Sequence, residues 1–153
     1  MQELLRRRVA LITGKGGVGR SSVTAAVAQV AQRAGKRVLV TEIAGGAKGP
    51  SPLAQLFSLT ELPRTAEIIA PGIVGSQLRP DVGVELFLAS MIRFAKLAKA
   101  AIVFEPLRRL FLAVTSLREL GIFFHLLTYL RATEPHSDSP QHELILVDMP
   151  ATG

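Results

Sequence analysis

The sequence predicts an α/β fold in which a parallel sheet carries flanking helices. Three observations support that expectation. Two short apolar runs bracket an alanine-rich helical stretch, a glycine-rich loop joins the first run to that stretch, and a third apolar run near the end closes on an acid. The first 43 residues therefore spell strand, glycine loop, helix, strand, the building block of a parallel sheet.

Taken in order, residues 8–13 (RVALIT) form a short buried strand and residues 14–22 (GKGGVGRSS) the loop. A helix follows over 21–34, with Ser21 or Ser22 in its first turn and Gly35 ending it. Residues 36–43 (KRVLVTEI) read as the second strand, 45–52 (GGAKGPSP) as a loop and 53–59 as a short helix. A third strand is expected over 72–78, flanked by Pro71 and Pro80. From 82 to 132 the pattern is helical, with breaks expected at Pro106 and Gly121. Residues 133–142 form a polar turn, and 143–148 (ELILVD) a buried strand. The strands at 8–13, 37–43 and 143–148 should be neighbours, with the glycine loop at their carboxyl edge. There is no internal repeat and no low-complexity tract.

The 153 residues suit one compact domain, with 48% apolar residues to supply a core. The chain stops five residues after the last strand, which reads as a truncated nucleotide domain, its N-terminal part with a helical subdomain at about 82–132. The segment nearest to a membrane span, 84–104, is interrupted by Glu85, Arg93, Lys96 and Lys99. The basic N-terminus leads into too short an apolar run for a signal peptide, so the expected location is cytoplasmic. Absence of cysteine excludes disulfides, thiolate metal sites and a cysteine nucleophile. The net charge of +6 suits phosphates or anionic surfaces, but with one Tyr and no Trp there is no stacking platform, and no nucleic-acid partner is expected. His125, His136 and His142 lack ligand spacing and read as structural.

The glycine loop carries the chemistry. Glycines let backbone N–H groups turn inward onto phosphate oxygens, and the following helix N-terminus favours anions. In the pattern G-x-x-x-x-G-K-[ST], a lysine reaches the outer phosphates and a hydroxyl ligates Mg²⁺. Here Gly14 and Gly19 frame the loop, Arg20 stands at the lysine position and Ser21 at the metal position. The expected nucleotide contacts are Gly14, Lys15, Gly16, Gly17, Val18, Gly19, Arg20, Ser21 and Ser22.

Three stretches, GKGGVGRSSVTAAVA, GKRVLVTEIAGGAKG and LILVDMPATG, resemble the deviant-Walker ATPases that include the Min and Par partition proteins. Within that group they are more similar to the anion-transporting (arsenical-pump-driving) ATPases and to the ATPases that deliver tail-anchored proteins. The resemblance implies a P-loop fold that binds ATP and Mg²⁺ and couples nucleotide state to dimer rearrangement and the handling of an anion or protein client. It implies that Lys15 is the signature lysine reaching a partner's phosphates across a dimer. It places Ser21 on the metal and Asp148 near the metal and the attacking water; an acid that merely caps the turn after the strand is the plainer alternative. With Lys15, Arg20 and Asp148 as the implied catalytic set, the metal pair is Ser21 and Asp148.

Two positions depart from that pattern. Arg20 keeps the charge of lysine, but its planar fork is bulkier and bonds differently. Ala44 stands where the family carries a water-orienting aspartate, two residues after Glu42. The departures fall on positions tied to hydrolysis, while the loop glycines, Lys15 and Ser21 remain. The sequence thus predicts nucleotide binding in weakened form and leaves hydrolysis open. The alternative is a hydrolysis-impaired partner or regulatory subunit of an active homologous ATPase, in a homodimer or heterodimer. The helical middle could offer a groove to a hydrophobic or membrane-protein client, or simply pack into a core and dimer interface.

Overall fold

The computed structural model describes residues 2–45, 49–95 and 115–152, and side chains at 91–95 and 115–116 are outside the description. The expected break at Pro106, and part of the loop expected at 45–52, fall outside the described residues. The chain forms two compact units: Met1–Leu78 with Leu130–Gly153, and Arg79–Tyr129.

The first unit is an α/β sheet flanked by helices. Its elements are α1 (Gln2–Leu5), β1 (Val9–Ile12), α2 (Arg20–Arg33), β2 (Val38–Ile43), α3 (Pro52–Gln55), β3 (Glu67–Ala70), β4 (Ile73–Leu78) and β5 (Leu144–Asp148). The second unit contains α4 (Pro80–Ala95), and α5 (Thr115–Arg131) ends just beyond it. The five strands lie in the order β1-β5-β2-β4-β3. All pairings are parallel except that of β3 with β4. The three strands expected to lie together do so, but β5 sits between β1 and β2, which do not pair with each other. Helix width explains the gap. A helix about 10 Å across covers two strand spacings of about 4.8 Å, so the α2 crossover leaves room for one further strand.

Residues alternate across the sheet, and its centre is buried on both faces. On one face Val38, Val40, Leu144 and Leu146 pack in a cluster with Ala28 and Ala31 of α2. On the other, Leu39, Ile145 and Val147 are equally buried. Burial on both faces explains why β2 and β5 are continuous apolar runs rather than alternating ones. Each fully buried leucine contributes about 2 kcal/mol relative to exposure. The alanines of α2 let the helix lie close to the sheet.

Several expectations need correction. The first strand is not buried: β1 lies at the edge of the sheet, has no fully buried residue and leaves Leu11 57% exposed. Helix α2 begins one residue earlier than expected, at Arg20. The short helix expected over 53–59 is only Pro52–Gln55, because Ser58 takes a left-handed conformation (φ 61°) that ends it. Strand β3 and helix α1 were not anticipated. Gly72 is not the start of a strand but the second residue of the Pro71-Gly72 turn between β3 and β4, with φ 71°. Proline fixes the first turn position and glycine supplies the positive φ at the second.

The last concerns Gly121, which does not break the helix: α5 runs through it without interruption. A Cβ added at Gly83 of α4 would lie 1.7 Å from the Gly121 carbonyl oxygen, and one at Gly121 would lie 2.3 Å from that of Pro80. The two glycines therefore let α4 and α5 touch backbone to backbone, the close approach that small residues permit. An edge-to-face pair, Phe87 with Phe124 at 5.3 Å, adds to the same helix contact. His125 accepts a hydrogen bond on Nδ1 from the Arg79 N–H at 3.0 Å, ahead of α4. Burial lowers its pKa, which keeps the ring neutral and able to accept.

Candidate functional site

The glycine loop leaves the carboxyl end of β1 and enters α2 directly. Two of its glycines need their conformation: Gly17 has φ 79° and Gly19 has φ 84°. Gly19 is the N-cap of α2 and, lacking a side chain, makes no side-chain cap bond. The first intrahelical bond from this end runs from the Val23 N–H to the Gly19 carbonyl at 2.9 Å. The N–H groups of Arg20, Ser21 and Ser22 precede it, and they are the donors a helix start leaves for a capping anion.

The chain after β5 lies along this loop. The Met149 N–H donates to the Ile12 carbonyl at 3.0 Å and the Thr152 N–H to the Gly14 carbonyl at 3.2 Å. Pairing of β1 with β5 in parallel register brings the two strand ends together, with Ile12 opposite Asp148. Pairing of β2 with β5 places Glu42 opposite Asp148 as well. One cleft of about 180 Å³ follows, lined by Arg20, Ser21, Glu42 and Asp148 together with Pro52 and the Met149–Ala151 segment.

Within the cleft the Ser21 hydroxyl donates to Asp148 Oδ2 at 2.6 Å. Arg20 donates from Nη1 to the Met149 carbonyl, and the same nitrogen lies 3.9 Å from Asp148 Oδ1. Asp148 is 8% exposed, and its Oδ1 is buried without a hydrogen bond. A serine hydroxyl and a carboxylate with a buried oxygen that accepts no hydrogen bond are hard oxygen donors, of the kind that suits Mg²⁺. Among the described residues no group of three or more His, Asp or Glu side chains gathers as a metal cluster. Any metal here would draw its remaining ligands from phosphate oxygens and water.

The sequence did not assign Glu42 to this cleft, and pairing of the strands is what puts it there. Its carboxyl accepts a hydrogen bond from Ser51, the residue that also caps α3. Burial raises its pKa above the usual carboxylate range, opposed by the Ser51 bond and reinforced by repulsion from Asp148 and Glu61. Ala44 lines a neighbouring cleft of about 230 Å³ with Glu42, Ser51 and Gln77, rather than the one that holds Asp148. Glu42, Ile43 and Pro52 line both clefts, and Glu42 is the acid opposite Asp148 in the sheet register. Lys15 is exposed in the loop and does not line the cleft.

The raised pKa of Glu42 predicts a pH effect. Above its ordinary value of 4.5 the native chain holds this proton more tightly than the unfolded chain, so stability falls as pH rises through the folded value. Glu42→Gln keeps an acceptor for Ser51 and removes the charge. It is expected to melt higher than the natural chain at about pH 8 and to lose that advantage by about pH 4, where both side chains are neutral. An equal difference in melting temperature at both pH values would contradict the buried-carboxylate account.

Fold and site together define a mostly parallel α/β sheet with a glycine loop opening a helix and a Ser–Asp pair at the carboxyl ends of its strands, where such sheets place ligands. Comparison with known proteins agrees with that class. The chain is similar to ATPase BagA of Mycobacterium tuberculosis and to the Mycobacterium bovis protein Mb3704, also named as an ATPase. Each is 32% identical over 155 residues, which is 95% of this chain. The chain spans 43% of the length of these relatives. No protein-family profile matches the sequence. Among the described residues no helix is long and apolar enough to cross a membrane.

Proposed function

We propose that this chain forms a nucleotide-binding part of an ATPase of the anion-transporting type, taking ATP with Mg²⁺ in the cleft between the glycine loop and Asp148. The observation that supports this most is the meeting of α2's uncapped start with the Ser21–Asp148 pair at one sheet edge. Backbone N–H groups of Gly16 to Ser21 would hold the phosphates, and Ser21 and Asp148 would hold the metal. Bound Mg²⁺ supplies charge neutralisation on the phosphate oxygens. Lys15, exposed in the loop, is free to reach a second subunit's nucleotide in a dimer, and an anion or a hydrophobic protein as client is what the resemblance implies.

A second reading is favoured by Arg20. Its side chain is committed to the Met149 carbonyl and to Asp148 rather than to the loop. Phosphoryl transfer depends on positioned charge, so the cation at this position is poorly placed for catalysis. The protein is then a hydrolysis-impaired partner of an active homologue.

Calorimetric titration with ATP–Mg²⁺ tests the reading common to both. Saturable binding is expected, and Gly19→Ala should weaken it about tenfold, because alanine pays roughly 1–2 kcal/mol to hold a left-handed φ. No saturation at millimolar ATP–Mg²⁺ sinks the proposal. So does undiminished affinity in Gly19→Ala.

A further inference from the structure

Asp148 faces two claims on one charge. Its Oδ2 accepts from Ser21, while its Oδ1, buried and without a hydrogen bond, has the Arg20 guanidinium 3.9 Å away. Arg20 is held in that place by its bond to the Met149 carbonyl, and its side chain is only 16% exposed. The Met149 carbonyl follows Asp148 directly in the chain, so the guanidinium bridges side chain and backbone of one short segment. Both contacts are made by one nitrogen, Nη1, which fixes the charge at a single point beside the carboxylate. A divalent cation approaching Oδ1 would meet this fixed positive charge at a few ångströms in a partly dry cleft, where like charges repel strongly.

We infer that Arg20 is a built-in counter-cation for Asp148 that competes with a divalent metal ion for this carboxylate, so that nucleotide binding by this protein depends little on Mg²⁺. The inference rests on the reading of the cleft as the nucleotide site, and its test separates the two. Arg20 would then neutralise the Asp148 carboxylate that otherwise repels phosphate. In this way it would do part of the metal's electrostatic work without the metal's ability to bridge phosphate oxygens.

The first arm uses Mn²⁺ alone, without nucleotide, followed by electron paramagnetic resonance. Arg20→Gln keeps a donor for the Met149 carbonyl and removes the charge. Its affinity for Mn²⁺ is expected to exceed that of the natural chain by about tenfold, and the gain should vanish when Asp148→Asn is added. Equal affinity in the natural chain and Arg20→Gln overturns the inference, and so does a gain that survives Asp148→Asn. Arg20→Met, equally uncharged, gives the same comparison if Arg20→Gln does not fold. The second arm measures ATP affinity with Mg²⁺ and with a chelator. The natural chain should change by less than about threefold and Arg20→Gln by more than about tenfold. A tenfold loss in the natural chain on chelation overturns the inference. Absence of ATP binding under both conditions overturns the nucleotide reading instead, while the Mn²⁺ arm still decides whether Arg20 shields Asp148.

Discussion

Phosphate release by Arg20→Lys is expected to exceed that of the natural chain by about a hundredfold at matched nucleotide occupancy. One well-placed charge donor supplies about 3 kcal/mol of transition-state stabilisation, which corresponds to that factor. In the natural chain the cation at position 20 is bound to the Met149 carbonyl and lies beside Asp148. A lysine carries a compact ammonium on a straight side chain, and it is expected to reach the outer phosphates as the loop lysine of this pattern does. The substitution also frees Asp148 to act on a metal or on water. Steady-state phosphate release, with occupancy measured in parallel, gives the comparison. Robust turnover by the natural chain would show that Arg20 already serves the reaction. An unchanged rate in Arg20→Lys, with binding intact, would place the limitation elsewhere.

Gly83→Leu is expected to destabilise the helical unit by about 3 kcal/mol or more. Even the first atom of a side chain at 83 would sit 1.7 Å from the Gly121 carbonyl oxygen, and that obstacle is backbone, which cannot rotate away. Removing a glycine from a helix ordinarily gains up to about 1 kcal/mol in propensity, so the sign of the result separates local preference from packing. Gly121→Leu should behave alike because of its approach to the Pro80 carbonyl. Thermal and urea unfolding report the change. A melting temperature equal to or above that of the natural chain would mean that α4 and α5 do not make this contact.

Local chemistry made much of the sheet legible. The apolar runs at 9–12, 38–43 and 144–148 became strands because they are rich in branched residues and bounded by turn formers. The alanine-rich run became α2 and the glycine loop stayed a loop between them. Less was legible where a residue's meaning depended on a neighbour distant in sequence. Strand β3 (Glu67–Ala70) is short, pairs on one side only and leaves Ile68 80% exposed, so its pattern is not that of a buried strand. The Pro71-Gly72 pair was the available signal for its hairpin. Gly121 looked like a break because glycine lowers helix propensity, but packing against Gly83 overrides that preference.

The sequence by itself determined the class of fold, the place of the glycine loop and the residue types that meet there. Gly17 and Gly19 are local necessities, since a backbone with positive φ needs glycine wherever it occurs. Only the tertiary structure decided which side chains share the cleft. The register of β2 against β5 sets Glu42 opposite Asp148, 106 residues apart in the chain. The return of the chain after β5 along the loop gives Arg20 its partners at Met149 and Asp148. Composition and spacing can say that an arginine follows a glycine loop. Where its charge is spent depends on long-range strand pairing, whose free energy comes from burying both faces of the sheet and not from the site itself.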